Sequence, residues 1–157
     1  MGVRVYIEVM RRVISLLLVG AVLIDGAYWA IWFAQREWLA SQRTRAYYAF
    51  ENAFPLADAW LAVACLLALV MLLSRSPTAL FWLVCAGSAG TYLFCMDVLY
   101  DVQHGIFRLG IPGALEALVV ALTLGFSLTI LLWSWRHRGV LLSPEPDDDW
   151  GRRTPPP

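Results

Sequence analysis

An all-α protein is expected from this sequence, a four-helix transmembrane bundle with both termini cytoplasmic. The expectation rests on a composition that is 60% hydrophobic and 15% charged, on apolar stretches of spanning length separated by break residues, and on an uneven placement of arginines. An average soluble domain is roughly a quarter charged. Three apolar stretches exceed about 18 residues with at most one acid inside, and a fourth runs from Gly113 to Trp135 with Glu116 near its start. Four spans of about 20 residues use roughly half the chain and leave too little for a soluble domain of about 100 residues, which excludes an extramembrane enzyme. The 12 basic and 12 acidic residues cancel, so net charge gives no sign of nucleic-acid binding.

The first span is expected over residues 13–34. Arg4, Arg11 and Arg12 precede an apolar run from Val13 to Phe33 that only Asp25 interrupts. A basic start before an apolar core also describes a secretory signal. This run, however, continues past Asp25 through Trp29, Ile31 and Trp32 without a small-x-small cleavage site, so it reads as a retained helix. A polar loop over residues 35–54 carries Arg36, Glu37, Arg43, Arg45 and Glu51 among Trp38, Tyr47, Tyr48 and Phe50, and is expected along the membrane interface.

Pro55 suits a first helical turn, where its missing N–H has no intrahelical partner to lose, so the second span is placed at 55–73. Ser74 to Thr78 form a tight turn. The third span, 79–101, has about 23 residues and a length of roughly 35 Å, enough to cross with some tilt. Gly105, Gly110 and Pro112 break the pattern before a fourth span at 113–135, which closes on Trp133, Trp135, Arg136, His137 and Arg138. Residues 1–142 thus form the membrane domain. Residues 143–157 contain SPEPDDDW and PPP, too polar and proline-rich to bury anything, and are expected to be a disordered cytoplasmic tail.

Orientation follows from the arginines. Arg4, Arg11, Arg12, Arg75, Arg136, Arg138, Arg152 and Arg153 fall on one side, against Arg36, Arg43, Arg45 and Arg108 on the other, which places the richer side in the cytoplasm. No internal repeat suggests an inverted-topology transporter. Cys65, Cys85 and Cys95 lie inside spans without a CxxC pair and read as packing residues. Most tryptophans read as interface belts, with Trp29, Trp32 and Trp38 outside and Trp82, Trp133 and Trp135 inside. AGSAG, Ala86 to Gly90, reads as close helix packing.

The candidate chemistry lies in Asp25, Asp58, Asp97, Asp101 and Glu116, all within or at the ends of spans. With the expected orientation all five occupy the outer half of the membrane. An aspartate at mid-bilayer costs on the order of 3 kcal/mol, which makes Asp25 the most expensive. Asp97, Asp101 and His104 follow i, i+4, i+7 with Tyr100 alongside, one acidic stripe ending in an imidazole. Glu116, Thr123, Ser127 and Ser134 form a second stripe on the fourth helix. Asp25 points along Tyr28, Trp29 and Trp32, and a carboxylate beside aromatic faces suits an organic cation. The plainer reading competes: Asp58 and Glu116 sit in first helical turns, where negative charge complements the helix dipole, and Asp101 and His104 simply end a helix. Asp97 and Asp25 have no base in the bilayer core to pair with and must be protonated, hydrated or bound.

The segments FPLADAW, Phe54 to Trp60, and MDVLYDVQHG, Met96 to Gly105, resemble small four-span bacterial membrane proteins of unassigned activity, which implies architecture and no chemistry. At Asp25 and Asp58 the layout is more loosely similar to the EXPERA group of emopamil-binding and sigma-2-like proteins, which implies sterol isomerisation or binding of cationic amphiphiles.

Three readings follow. The first is a non-enzymatic multi-pass cell-membrane protein whose outward-facing acidic and aromatic pocket binds a cation or exchanges protons, with Asp97 central, Asp25 and Asp101 flanking it, and Tyr100 and His104 at its mouth. Asp58, Glu116 and Trp29 complete that ligand-binding set. The second is an EXPERA-like membrane isomerase or amphiphile binder using Asp25 or Asp58 as proton donor. The third is a structural or accessory subunit. No catalytic residue, metal site or cofactor is assigned, since Asp97, Asp101 and His104 come without CxxC or HExxH. The expected partners are the lipid bilayer, a small or lipophilic cation and a second copy of the chain, without nucleic acid.

Overall fold

The computed structural model describes residues 3–143 and is helical throughout, without strands among them. The expected tail falls outside the described residues apart from Ser143. The order is α1 (Val3–Gln35), α2 (Arg45–Glu51), α3 (Pro55–Leu73), α4 (Ala79–His104), α5 (Ile111–Arg136) and α6 (Arg138–Leu142), with short 3₁₀ turns at Arg36–Trp38 and Ile106–Arg108.

α1 starts ten residues before the expected apolar boundary at Val13. Its 33 residues extend about 50 Å, well beyond a hydrocarbon core of about 30 Å. The early turns stay helical because their charges find partners: Arg11 pairs with Glu8 one turn back and donates to the Leu72 carbonyl of α3. α3 begins with Pro55 in its first turn and ends at Leu73, the bounds expected from the sequence. α4 runs to His104, past the expected end at Asp101, and stops where Gly105 adopts the left-handed conformation (φ 66°). α5 begins at Ile111 after Gly110 (φ 67°), with Pro112 in its first turn.

Sequence neighbours pack as spatial neighbours: α1 against α3, α3 against α4, and α4 against α5. The start of α1 meets the ends of α3 and α5, as shown by the Arg11 to Leu72 bond and the contact of the Tyr6 and His137 rings. The far end of α1 meets the start of α3 through Trp29 and Asp58. Successive long helices are therefore antiparallel.

The interior divides into two clusters. An aliphatic one joins Ile14 and Leu18 of α1, Ala68 and Leu72 of α3, Leu83 and Ala86 of α4, and Ile130 of α5, next to the arginine-bearing end. An aromatic one joins Trp29, Trp32, Tyr47, Phe54, Leu93 and Ile106 at the opposite end. Between α4 and α5 the seam is tight. A Cβ on Gly87 would lie 2.6 Å from Leu131 Cγ, and one on Gly90 would strike Ser127 Oγ, so AGSAG is a packing segment.

Small and hydroxyl-bearing residues share the interior with Ile14, Leu18, Leu72 and Leu83, and many other large aliphatic side chains lie outside it. Small residues such as Ala64, Ala68, Gly87 and Gly90 and the hydroxyls of Ser127 and Ser134 are buried, while Leu16, Leu23, Ile24, Leu66, Leu115 and Leu122 are exposed. Water drives large aliphatic side chains inward; lipid does not, and small residues then let backbones touch. Three segments, Arg45–Leu73, Ala79–His104 and Ile111–Arg136, are long and apolar enough to cross a membrane.

The expected interface loop differs most from its reading. Residues 36–54 fold back over the helix ends, with α2 inserting Tyr47 and Glu51 into the aromatic interior. Thr44 caps α2 by accepting from the Tyr47 backbone N–H at 3.2 Å. We call residues 36–54 the strap.

Candidate functional site

The far end of α1 presents three consecutive polar handles on aromatic bodies. The Tyr28 hydroxyl donates to Glu51 Oε2 at 2.9 Å, the Trp29 indole N–H to Asp58 Oδ2 at 2.9 Å, and the Trp32 indole N–H to Asn52 Oδ1 at 3.1 Å. Trp29 and Trp32 are buried, so they are anchors of the strap and of α3 and not the outer belt residues expected. Buried indoles take hydrogen-bond partners, and these carboxylate and amide oxygens supply them. Trp133 is also buried, against the belt reading, whereas Trp38 and Trp135 are exposed.

Asp25 is half-buried, within electrostatic reach of Asp58, and close enough to the Trp29 indole N–H to interact with it as well. Glu116, in the second turn of α5, accepts from Ser41 Oγ of the strap at 2.9 Å. Asp97 is half-buried and makes no side-chain hydrogen bond among the described residues, and it lies within electrostatic reach of Glu51, Asp101, Glu116 and Asp58.

Asp101 is buried at 2% exposure, and its Oδ2 has no hydrogen-bond partner among the described residues. It feels the charges of Glu116, Glu51 and His104. The neighbouring Tyr100 ring stacks on Phe50 of the strap, centroids 3.7 Å apart, and on His104 at 3.9 Å, while its hydroxyl is buried and unpartnered. His104 itself is exposed and its Nδ1 bonds the Tyr100 carbonyl, so the stripe does not end in an inward imidazole. The expected second stripe is likewise self-contained. Thr123, Ser127 and Ser134 return their hydroxyls to the Val119, Thr123 and Leu131 carbonyls of their own helix.

Asp97 thus lies within electrostatic reach of Glu51, Asp101, Glu116 and Asp58, Asp101 of Glu116 and Glu51, and Asp25 of Asp58, with which it shares Trp29 as a neighbour. Glu51 was absent from the expected set. Its signal was weak: the strap's aromatics, Tyr47, Tyr48 and Phe50, are too many for a solvated loop. Ion pairs among the described residues are confined to Arg11–Glu8, Arg75–Glu8 and Arg43–Glu37, none involving these acids. No group of three His, Cys, Asp or Glu side chains among the described residues is placed to hold a metal ion. Cys65 is buried, whereas Cys95 is exposed and takes no part in interior packing.

Fold and site define a helical protein with three membrane-capable helices and a set of carboxylates that make no ion pair among the described residues. No family model, curated protein or solved structure matches the chain.

Proposed function

We propose that the chain is a multi-pass cell-membrane protein, a four-helix bundle, whose acidic end binds a small cation or exchanges protons with the outer side. α1 counts as a fourth span in this reading, because only Asp25 carries charge between Val13 and Ala34. The end bearing Arg11, Arg12, Arg75, Arg136 and Arg138 faces the cytoplasm, and the acids face outward.

The observation that supports the proposal is that Glu51, Asp58, Asp97, Asp101 and Glu116 lie within electrostatic reach of one another with no ion-pairing base among the described residues. Two like charges about 8 Å apart at an effective dielectric of about 20 repel by about 2 kcal/mol. Several such pairs together rival the 5–15 kcal/mol that typically separates folded from unfolded states, so positive charge must enter the site. The hydroxyls of Tyr28 and Ser41, already bonded to two of the carboxylates, can pass a proton as well as hold one.

Unfolding of the purified protein in micelles across pH tests the reading. The midpoint of wild type rises as the pH is lowered or as a bound cation is supplied, and Asp97→Asn, which removes one like charge, shows a smaller rise. A midpoint indifferent to pH and to every cation, in both proteins, contradicts it.

A further inference from the structure

The arginine end carries a feature of a different kind, on the outward side of α5. Leu128, Leu132 and Trp135 follow i, i+4, i+7 and are all exposed, so they form one apolar stripe that the described elements leave uncovered. The stripe ends in charge. Arg136 and Arg138 follow it, both exposed, and neither makes an ion pair among the described residues. The Arg138 guanidinium lies over the Trp135 ring, 4.4 Å from its centroid, and its Nη1 donates to the Trp135 carbonyl at 2.8 Å. That bond uses one of five N–H donors and holds the group beside the stripe. α6 then tucks Leu141 against the aliphatic cluster and leaves Val140 and Leu142 exposed. With 26 residues α5 is about 39 Å long, so crossing a hydrocarbon core of about 30 Å carries its ends into the headgroup layers.

We propose that this face binds an anionic phospholipid, with an acyl chain along Leu128 and Leu132 and the headgroup phosphate against Arg138, while Arg136 adds charge to the same turn. It rests on the reading of the chain as a membrane protein and is independent of the acidic end. Charge selects the headgroup. Arg11, Arg12, Arg75, Arg136 and Arg138 stand at this end against Glu8 alone among the described acids. A zwitterionic headgroup brings its own cation to these arginines, and a net negative one does not. The apolar stripe selects a lipid over the chain's own acidic segment. Glu145, Asp147, Asp148 and Asp149 supply negative charge but lie among prolines, without an apolar run to match Leu128 and Leu132.

Native mass spectrometry of the full chain, released from micelles containing equimolar phosphatidylglycerol and phosphatidylcholine of the same acyl length, tests the site. The unfolding midpoint is followed in each lipid alone. Expected is at least fivefold preferential retention of phosphatidylglycerol, with a higher midpoint in that lipid. The preference falls below twofold when Arg136→Gln and Arg138→Gln are combined, both at exposed positions, and persists in Arg45→Gln at the opposite end. Equal retention of the two lipids by wild type, or a preference undiminished in the double variant, overturns the site. Displacement of the lipid by excess glycerol 3-phosphate, which has the charge without the acyl chain, also overturns it. A preference that emerges only once Asp147, Asp148 and Asp149 are replaced by asparagine assigns the arginines to the chain's own acidic segment and overturns the lipid as occupant. A chain that fails to float with phosphatidylcholine vesicles overturns the membrane reading itself, whereas one that floats without lipid preference overturns the lipid site alone.

Discussion

The two ends of the molecule place charge next to apolar helices in opposite ways. At the arginine end, Arg11 reaches both Glu8 and the Leu72 carbonyl, Arg75 reaches Glu8, and the adjoining interior is aliphatic. At the other end, carboxylates accept hydrogen bonds from N–H and O–H groups of Trp29, Tyr28 and Ser41, among aromatic rings. At the first end two of the arginines share Glu8 and one also meets a backbone carbonyl. At the second end the carboxylates make no ion pair among the described residues, and the proposed cation or proton is what would complete them.

Substitutions at the two ends should therefore differ in kind as well as size. The largest loss is expected from Leu83→Ala in the aliphatic interior, which leaves a cavity and costs about 2–3 kcal/mol, the lower part of the usual range because lipid tails soften the transfer component. Its pH response should match wild type, as measured by denaturant titration in micelles. Gly90→Val pushes α5 away through Ser127 and should cost about 1–3 kcal/mol, again without altering the pH response.

At the acidic end, Trp29→Phe keeps the ring and loses the donor to Asp58, for about 1 kcal/mol. This loss should shrink as the pH is lowered, since a neutral carboxyl needs the donor less, and a loss independent of pH would assign Trp29 to packing alone. Glu51→Gln keeps an acceptor for the Tyr28 hydroxyl and removes a like charge within electrostatic reach of Asp97 and Asp101. A gain of about 1 kcal/mol at neutral pH is expected, with a flatter stability profile across pH. Thr123→Ala removes a hydroxyl that serves only its own helix and should stay within about 0.5 kcal/mol of wild type, with an unchanged pH profile.

Much of the fold was legible because its determinants are local. Pro55 and the Ser74 to Thr78 turn bracket α3, and Gly105, Gly110 and Pro112 separate α4 from α5. α1 begins ten residues before the apolar run at Val13, since hydropathy marks the apolar run and not the Glu8–Arg11 pairing that accompanies the helix before it. The acids themselves were visible, but their company was not. The bonds that assemble the site join residues 23 apart for Tyr28 and Glu51 and 75 apart for Ser41 and Glu116, distances over which periodicity carries no information. For the same reason periodicity does not show α2 within the polar loop expected along the interface, nor that the N–H groups of Trp29 and Trp32 are bonded to Asp58 and Asn52.

The central claim, that positive charge completes the acidic end, is tested most directly by infrared spectroscopy of the protein in lipid bilayers at neutral pH, without added cation other than sodium. The account predicts a carbonyl band from protonated carboxylic acid that diminishes stepwise in Glu51→Gln, Asp97→Asn and Asp101→Asn. Only ionised carboxylate bands, identical in wild type and in all three variants apart from the loss of one residue's intensity, would contradict it.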